Sequence, residues 1–153
     1  MHSLVIDTEF TEFQDDAKVI SIALLNPETY DYCYVELTEG WVVDECSEFV
    51  QEHVLPHLDP VENGATLEGA RKAILEFLGR YDSVRLMSDA PGWDYQMLKQ
   101  ALGSAWPAHV QGLGGMLNLS EIVLDQGWEW QHNALRDAIE LVNGYNRLMS
   151  KAA

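Results

Sequence analysis

Strand and helix patterns follow one another in a fixed order along this chain, and that order constrains the fold more than any other feature. Three strand patterns come first, at Leu4 to Ile6, Val19 to Leu25 and Tyr30 to Leu37. The turn sequence NPET at residues 26–29 separates the second pattern from the third and predicts a hairpin. The second strand is therefore expected to run antiparallel to its neighbours.

Helical patterns dominate the remainder of the chain. Thr66 to Tyr81 carries apolar residues at helical spacing behind a capping threonine. A helix that starts at Asp89 or a neighbour and runs to Leu102 has Pro91 in its first turn, and Asn133 caps a last helix that reaches Met149. Weaker patterns predict a short helix within Asp44 to Leu55, strands at Ser83 to Met87 and Val110 to Leu113, and a short helix at Ser120 to Gln126. We expect one α/β domain over residues 1–153, with a five-stranded mixed sheet and helices on both faces.

The net charge of the chain argues against two classes of protein. There are 25 acidic against 9 basic residues, a net charge of −16, which argues against a nucleic-acid binder that relies on a basic patch and against docking on anionic membranes. A nucleic-acid enzyme that holds its substrate through metal ions remains possible.

No segment approaches the roughly 20 apolar residues of a membrane helix. The first residues lack the pattern of a cleaved signal, so we expect a cytoplasmic protein in which Cys33 and Cys46 are reduced.

Several carboxylates occupy positions at the edge of the predicted core. Asp7 and Glu9 close the first strand, and their spacing of two places both on one face. Asp94 shares a helical stripe with apolar residues, where an unpaired carboxylate costs several kcal/mol. Asp137 also lies off the polar stripe of its helix, and His132 precedes that helix. Each position alone has an ordinary alternative: a strand end that runs into a polar loop, a first-turn acid favoured by the helix dipole, a structural histidine.

Together, the four carboxylates and the histidine favour a metal cluster. No basic residue is placed in the sequence to pair with each acid. Two Mg²⁺ ions would balance four carboxylates, and a ligand set of oxygen atoms selects Mg²⁺ or Mn²⁺ over Zn²⁺.

Three ordered motifs resemble the DEDDh 3′–5′ exonucleases of the ribonuclease H-like superfamily, the group of proofreading exonucleases, ribonuclease T and oligoribonuclease. The motifs are LVIDTEF at residues 4–10, WDYQML at residues 93–98 and HNALRD at residues 132–137. The family usually has His-Asn or Gly-Asn before its second motif, where this chain has SDAPG at residues 88–92. In that departure and in its short length, the chain resembles a small bacterial or phage group of exoribonucleases.

The resemblance implies a ribonuclease H-like fold and a two-metal hydrolase that needs two Mg²⁺ ions, for which Mn²⁺ can substitute. It implies that Asp7 bridges both ions and that Glu9 and Asp137 hold the ion that carries the attacking water. Asp94 would support the second ion directly or through water, and His132 would act as general base. The implied activity is a 3′–5′ exonuclease that releases nucleoside 5′-monophosphates from single-stranded 3′ ends.

Residues next to the acids are candidates for substrate contacts. Phe10 and Trp93 flank the acids and would stack on the last base, or else pack in the core, while Thr8 and Thr11 would bond a terminal ribose. The charge of −16 favours short RNA, or the last few nucleotides of a single-stranded tail, over long duplex DNA. A DNA-directed proofreading-type exonuclease is the alternative, followed by a non-catalytic binding module on the same fold. The tryptophans Trp106, Trp128 and Trp130 favour core or a dimer surface, which leaves a homodimer open.

Overall fold

A six-stranded mixed sheet lies at the centre of the computed structural model, which describes residues 1–125 and 129–153. The strands are β1 (His2–Phe10), β2 (Val19–Leu25), β3 (Tyr32–Leu37), β4 (Gly64–Ala65), β5 (Val84–Ser88) and β6 (Leu117–Asn118). Their spatial order is β4-β3-β2-β1-β5-β6. As predicted, β2 is antiparallel to both of its neighbours, whereas β1 with β5 and β5 with β6 are parallel pairs.

Helices cover both faces of this sheet. They are α1 (Glu48–His53), α2 (Pro60–Asn63), α3 (Leu67–Leu78), α4 (Pro91–Leu102), α5 (Ser120–Asp125) and α6 (Ala134–Ala152). Alternation along β1 divides the core, because Leu4 and Ile6 face α3 and α4 while Val5 faces α6. Every residue of β2 is buried, since helices lie over both of its faces. No helix in residues 1–125 and 129–153 combines the length and hydropathy needed to cross a bilayer.

The caps of the two long helices agree with the sequence. The Thr66 side chain accepts a hydrogen bond from the Gly69 amide, and the Asn133 side chain accepts one from the Arg136 amide. The helix expected within Asp44 to Leu55 is shorter, because Ser47 caps α1 and 3₁₀ turns lie on either side, at Val43–Glu45 and Leu55–His57.

Two strand predictions differ from the structure. The fifth strand expected at Val110 to Leu113 is wrong: Val110 forms only one bridge, to Val84, and a 3₁₀ turn follows at Leu113–Gly115. The strand that pairs with β5 at this edge of the sheet is instead the two-residue β6. A sixth strand, β4, pairs with the end of β3. The end expected for the short helix, Gln126, lies outside the described residues.

Candidate metal centre

The predicted acids and His132 line one cavity of about 330 Å³ at the carboxyl end of β1. Asp7 and Glu9 come from β1, Asp94 from the first turn of α4, and Asp137 from the first turn of α6. His132 lies on the loop just before α6 and reaches the same cavity. The structure therefore brings together all five residues of the three sequence motifs.

Strand register explains how these distant segments meet. Val5 of β1 lies beside Met87 of β5 in a parallel pair, so both strands end at the same edge of the sheet. The short loop after β5 leads into α4 and carries Asp94 to that edge. A bulge in the pairing of β1 with β2 falls between Glu9 and Phe10, where β1 leaves the sheet.

The carboxylates form two groups that share Asp7. The first group is Asp7, Glu9 and Asp137, and the second is Asp7, Asp89 and Asp94; within each, one oxygen from every residue lies within 4.8 Å of the others. Asp7, Asp94 and Asp137 are buried, and Glu9 and Asp89 are half-buried. Two adjacent oxygen-rich groups with a common residue are the arrangement that a two-metal site requires.

Two hydroxyl groups orient Asp94. The Thr8 hydroxyl donates to Asp94 Oδ1 at 2.6 Å, and the Ser88 hydroxyl donates to Asp94 Oδ2. The Ser88 hydroxyl in turn accepts the Ala90 amide at 2.9 Å. This network ties the ends of β1 and β5 to α4 and holds the Asp94 carboxylate in one orientation.

The backbone before α6 wraps around Asp137. The Gln131 amide donates to Asp137 Oδ1 at 2.8 Å, and backbone N–H groups of His132 and Asn133 also favour the ionised carboxylate. His132 has a φ of 56°, a left-handed conformation that histidine tolerates better than most residues. The turn at His132 directs the loop back over Asp137.

Burial and mutual repulsion make the ionised carboxylates costly without a cation. Burial, and then the charges of Asp94 and Glu9, raise the pKa of Asp7 well above its ordinary value. Burial, and then Asp137, raises the pKa of Glu9 to about 8. Burial likewise raises the pKa of Asp94 to about 7 and that of Asp137 to about 6, although hydrogen bonds oppose both increases.

These groups fit divalent cations. Asp7 is only 6% exposed, and within the described part of the chain its carboxylate accepts no hydrogen bond and forms no ion pair. No lysine or arginine of residues 1–125 and 129–153 lines the cavity. A buried, unpartnered carboxylate among other acids is neutralised either by a proton or by a cation, and its oxygen neighbours suit Mg²⁺ or Mn²⁺.

His132 belongs to neither carboxylate group. Its ring contacts Phe49 edge-on at 5.0 Å and lies 5.8 Å from the ring of His53, measured between centroids. Burial, and then the neighbouring His53 and His57, lowers the pKa of His132 below its ordinary value. The imidazole is therefore neutral near pH 7 and able to accept a proton.

The residues considered for substrate contacts fall in different places. Thr8 and Phe10 line the cavity, but the Thr8 hydroxyl is already donated to Asp94. Thr11 and Trp93 do not line it: the Thr11 hydroxyl accepts the Lys18 amide at 3.0 Å, and the Trp93 ring stacks on Phe10 at 5.0 Å. Both aromatic rings also pack partly against the main core.

The tryptophan set expected in the core or at a dimer surface divides as well. Trp106 packs against the main core and donates to the Val110 carbonyl at 3.0 Å, whereas Trp130 lines the cavity. Trp128 lies outside the described residues.

The residues outside the motifs that line the cavity include Asp89, Phe13 and Phe49. Asp89 precedes a helix that has Pro91 in its first turn, a position that suggests a helix cap rather than a metal site. Phe13 is 75% exposed and contacts the rings of both Phe10 and Trp93. Phe13 lies outside every predicted element and Phe49 within a predicted short helix, and neither belongs to a motif, so only the folded chain assigns them to the site.

Comparison with known proteins supports the predicted fold. Neither a family model nor a curated protein matches this chain. Among solved structures, the chain is similar to the catalytic unit of Neurospora crassa Pan2 (protease and nuclease domain), with a TM-score of 0.59 and 11% sequence identity. The match covers 99% of this chain and 28% of that much longer chain. With its sheet order and its antiparallel second strand, the chain has a ribonuclease H-like fold.

Proposed function

We propose that this chain is a metal-dependent 3′–5′ exoribonuclease, with residues 1–153 as one exonuclease domain, that removes nucleoside 5′-monophosphates from single-stranded 3′ ends. One observation supports this above all others: two groups of three carboxylates share Asp7 in a cavity that also contains His132. The three ordered sequence motifs provide the residues of the DEDDh type at these positions. We further propose that the protein acts in the cytoplasm.

Each motif residue has a chemical role in this proposal. Asp7, Glu9, Asp94 and Asp137 would hold two Mg²⁺ ions, whose chemistry when bound would be activation of a water molecule and stabilisation of charge on the scissile phosphate. His132, outside both groups and neutral near pH 7, accepts the proton of the attacking water. Rigid orientation of Asp94 by Thr8 and of Asp137 by the preceding loop keeps the ligands in place for catalysis.

The cavity favours the end of a strand over its middle. At about 330 Å³ it lies at the small end of ligand cavities, which span roughly 300–1,000 Å³, and it suits one terminal nucleotide. Because no lysine or arginine of the described residues lines it, the phosphate would be held through the ions. The exposed ring of Phe13, supported by Phe10 and Trp93, offers a face for base stacking.

An assay on matched RNA and DNA oligomers of one sequence tests the proposal. Each oligomer carries a 5′ label, and Mg²⁺ is added to the full chain. We expect a ladder that shortens from the 3′ end, faster on RNA, with nucleoside 5′-monophosphate as product. Asp7→Asn, which keeps the shape of the shared ligand but removes its charge, and excess EDTA should each abolish hydrolysis.

Three outcomes would contradict parts of this proposal. Faster cleavage of the DNA oligomer would favour a DNA-directed exonuclease, and cleavage of a circular strand would indicate an endonuclease. Cleavage of an oligomer with a 3′-terminal phosphate at the full rate would argue against recognition of a free 3′-hydroxyl. Binding of the oligomer without any hydrolysis in Mg²⁺ or Mn²⁺ would indicate a binding module.

A further inference from the structure

Asp89 lies in the loop between β5 and α4, where the ordinary explanation for an aspartate is that it caps the helix. The structure excludes that explanation. The N-cap of α4 is Ala90, which makes no side-chain cap bond, and the helix begins at Pro91. The Ala90 amide is bonded by the Ser88 hydroxyl instead, at 2.9 Å. The carboxylate of Asp89 therefore points into the cavity for another reason.

The charge of Asp89 acts on four other carboxylates of the cavity. Its charge raises the pKa of Asp7, Glu9, Asp94 and Asp137 alike. Burial raises the pKa of Asp89 itself, and only its own backbone N–H opposes that increase. No lysine, arginine or histidine within residues 1–125 and 129–153 forms an ion pair with it.

Asp94 is already committed to two hydrogen bonds in the same group. The Thr8 and Ser88 hydroxyls each occupy one of its oxygens. The buried Asp7 carboxylate has no such partner among the described residues and belongs to both groups. An ion beside Asp7 and Asp94 would therefore also meet Asp89, whose carboxylate oxygens form no hydrogen bond with another described side chain.

We propose that Asp89 is a direct ligand of the second ion, together with Asp7 and Asp94; this inference rests on the proposed function. The distances agree with one ion. With Mg²⁺–oxygen distances near 2.1 Å, ligand oxygens on an octahedron lie about 3–4 Å apart. One carboxylate oxygen from each of Asp7, Asp89 and Asp94 lies within 4.8 Å of the other two.

A third carboxylate would alter the stage of the reaction at which the second ion binds. Protein-bound Mg²⁺ is usually held by one or two carboxylates plus phosphates of the substrate. With three carboxylates, the second ion no longer depends on a substrate phosphate. The chain therefore holds both ions before the nucleic acid arrives.

Titration with Mn²⁺ in the absence of nucleic acid tests this, with free Mn²⁺ followed by its paramagnetic resonance signal. We expect two ions per chain for the wild-type protein. Asp89→Asn should bind one ion at the wild-type affinity and the other at least tenfold more weakly. Glu12→Gln is the matched control: it loses the same charge and lines the same cavity, but it belongs to neither carboxylate group. Its two affinities should stay within about threefold of wild type, as expected for a change in screened charge alone.

The outcomes separate this inference from the proposed function. If the wild-type chain binds two ions and Asp89→Asn binds both unchanged, Asp89 is not a ligand, while the proposed function stands. An equal loss in Glu12→Gln would also overturn the inference, since bulk charge would then explain the effect. If the wild-type chain binds no Mn²⁺, the proposed function itself fails. Melting in EDTA verifies that Asp89→Asn is folded, and Asp89→Ser provides a second variant without the carboxylate.

Discussion

Glu9→Gln is expected to stabilise the metal-free protein, although it removes a residue from the candidate site. The Glu9 side chain is half-buried and forms no hydrogen bond within the described part of the chain, so the substitution removes a charge and little else. The pKa of Glu9 is raised from 4.5 to about 8, and a tenfold change in proton affinity corresponds to about 1.4 kcal/mol. The ionised carboxylate therefore costs the fold at most about 5 kcal/mol above pH 8. Uptake of a proton by Asp137 or Asp94 relieves part of the repulsion between Glu9 and these acids. We therefore expect Glu9→Gln to raise the free energy of unfolding by about 2 kcal/mol.

The stabilisation of the metal-free protein by Glu9→Gln depends on pH. The folded-state pKa of Glu9 lies above its unfolded value, so between about pH 4.5 and 8 the folded wild-type chain holds a proton that the unfolded chain releases. The free energy of unfolding of the wild-type protein therefore falls through that window as pH rises. In Glu9→Gln this contribution is absent, so the two proteins should be equally stable near pH 4.5 and differ most above pH 8.

Urea unfolding in EDTA, followed by circular dichroism from pH 4.5 to 8.5, measures this difference. Glu12→Gln serves as the control for the loss of one acidic charge in the same cavity and should follow the wild-type curve. Saturating Mg²⁺ should reverse the order, because wild-type protein gains binding energy that Glu9→Gln has partly lost. Parallel pH curves for the two proteins, or a metal-free Glu9→Gln that is the less stable protein at pH 8.5, would refute the electrostatic argument.

Three further predictions test separate parts of the site. His132→Ala should slow hydrolysis by roughly 10²- to 10⁴-fold and flatten the acidic limb of the rate profile; Mn²⁺ affinity should not change, and a parallel loss of metal binding in titrations would make His132 a ligand. Thr8→Val should lower the free energy of unfolding at pH 8 by about 1.5–3 kcal/mol, since a buried hydrogen bond to a charged carboxylate is lost; unchanged urea midpoints would contradict this. The KM for a short RNA should change less than about threefold between 50 and 200 mM salt, whereas proteins with 6–10 phosphate contacts lose about 10³- to 10⁵-fold in affinity; a steep salt dependence would indicate a basic track outside the cavity.

The long elements of the fold were predictable because their apolar residues follow one period. The limits of β2 agree with the prediction, since all seven of its residues are buried between helices. The cap of α3 was predictable because Thr66 comes directly before a helical pattern. The two-residue strands β4 and β6 were not, since two residues are too few to carry a period. The prediction at Val110 followed a short apolar run that forms only one bridge.

The candidate site divides along similar lines. Asp7, Glu9, Asp94 and Asp137 were recognisable because each carboxylate interrupts an apolar pattern. Asp89 lies in a loop, where an acid interrupts nothing, and only the meeting of β1 with β5 brings it to Asp7. The stacking of Trp93 on Phe10 likewise depends on that tertiary contact, which local spacing does not encode.

The distance along the chain between Asp7 and Asp137 has a consequence for protein synthesis. Chains grow at roughly 5–20 residues per second, so on the order of ten seconds separate the synthesis of these two residues. Until α6 has emerged and docked, the group of Asp7, Glu9 and Asp137 lacks one carboxylate. Under the proposed function, a growing chain that has formed only β1, β2 and β3 should therefore not hydrolyse RNA. The candidate site is therefore complete only after translation has passed α6.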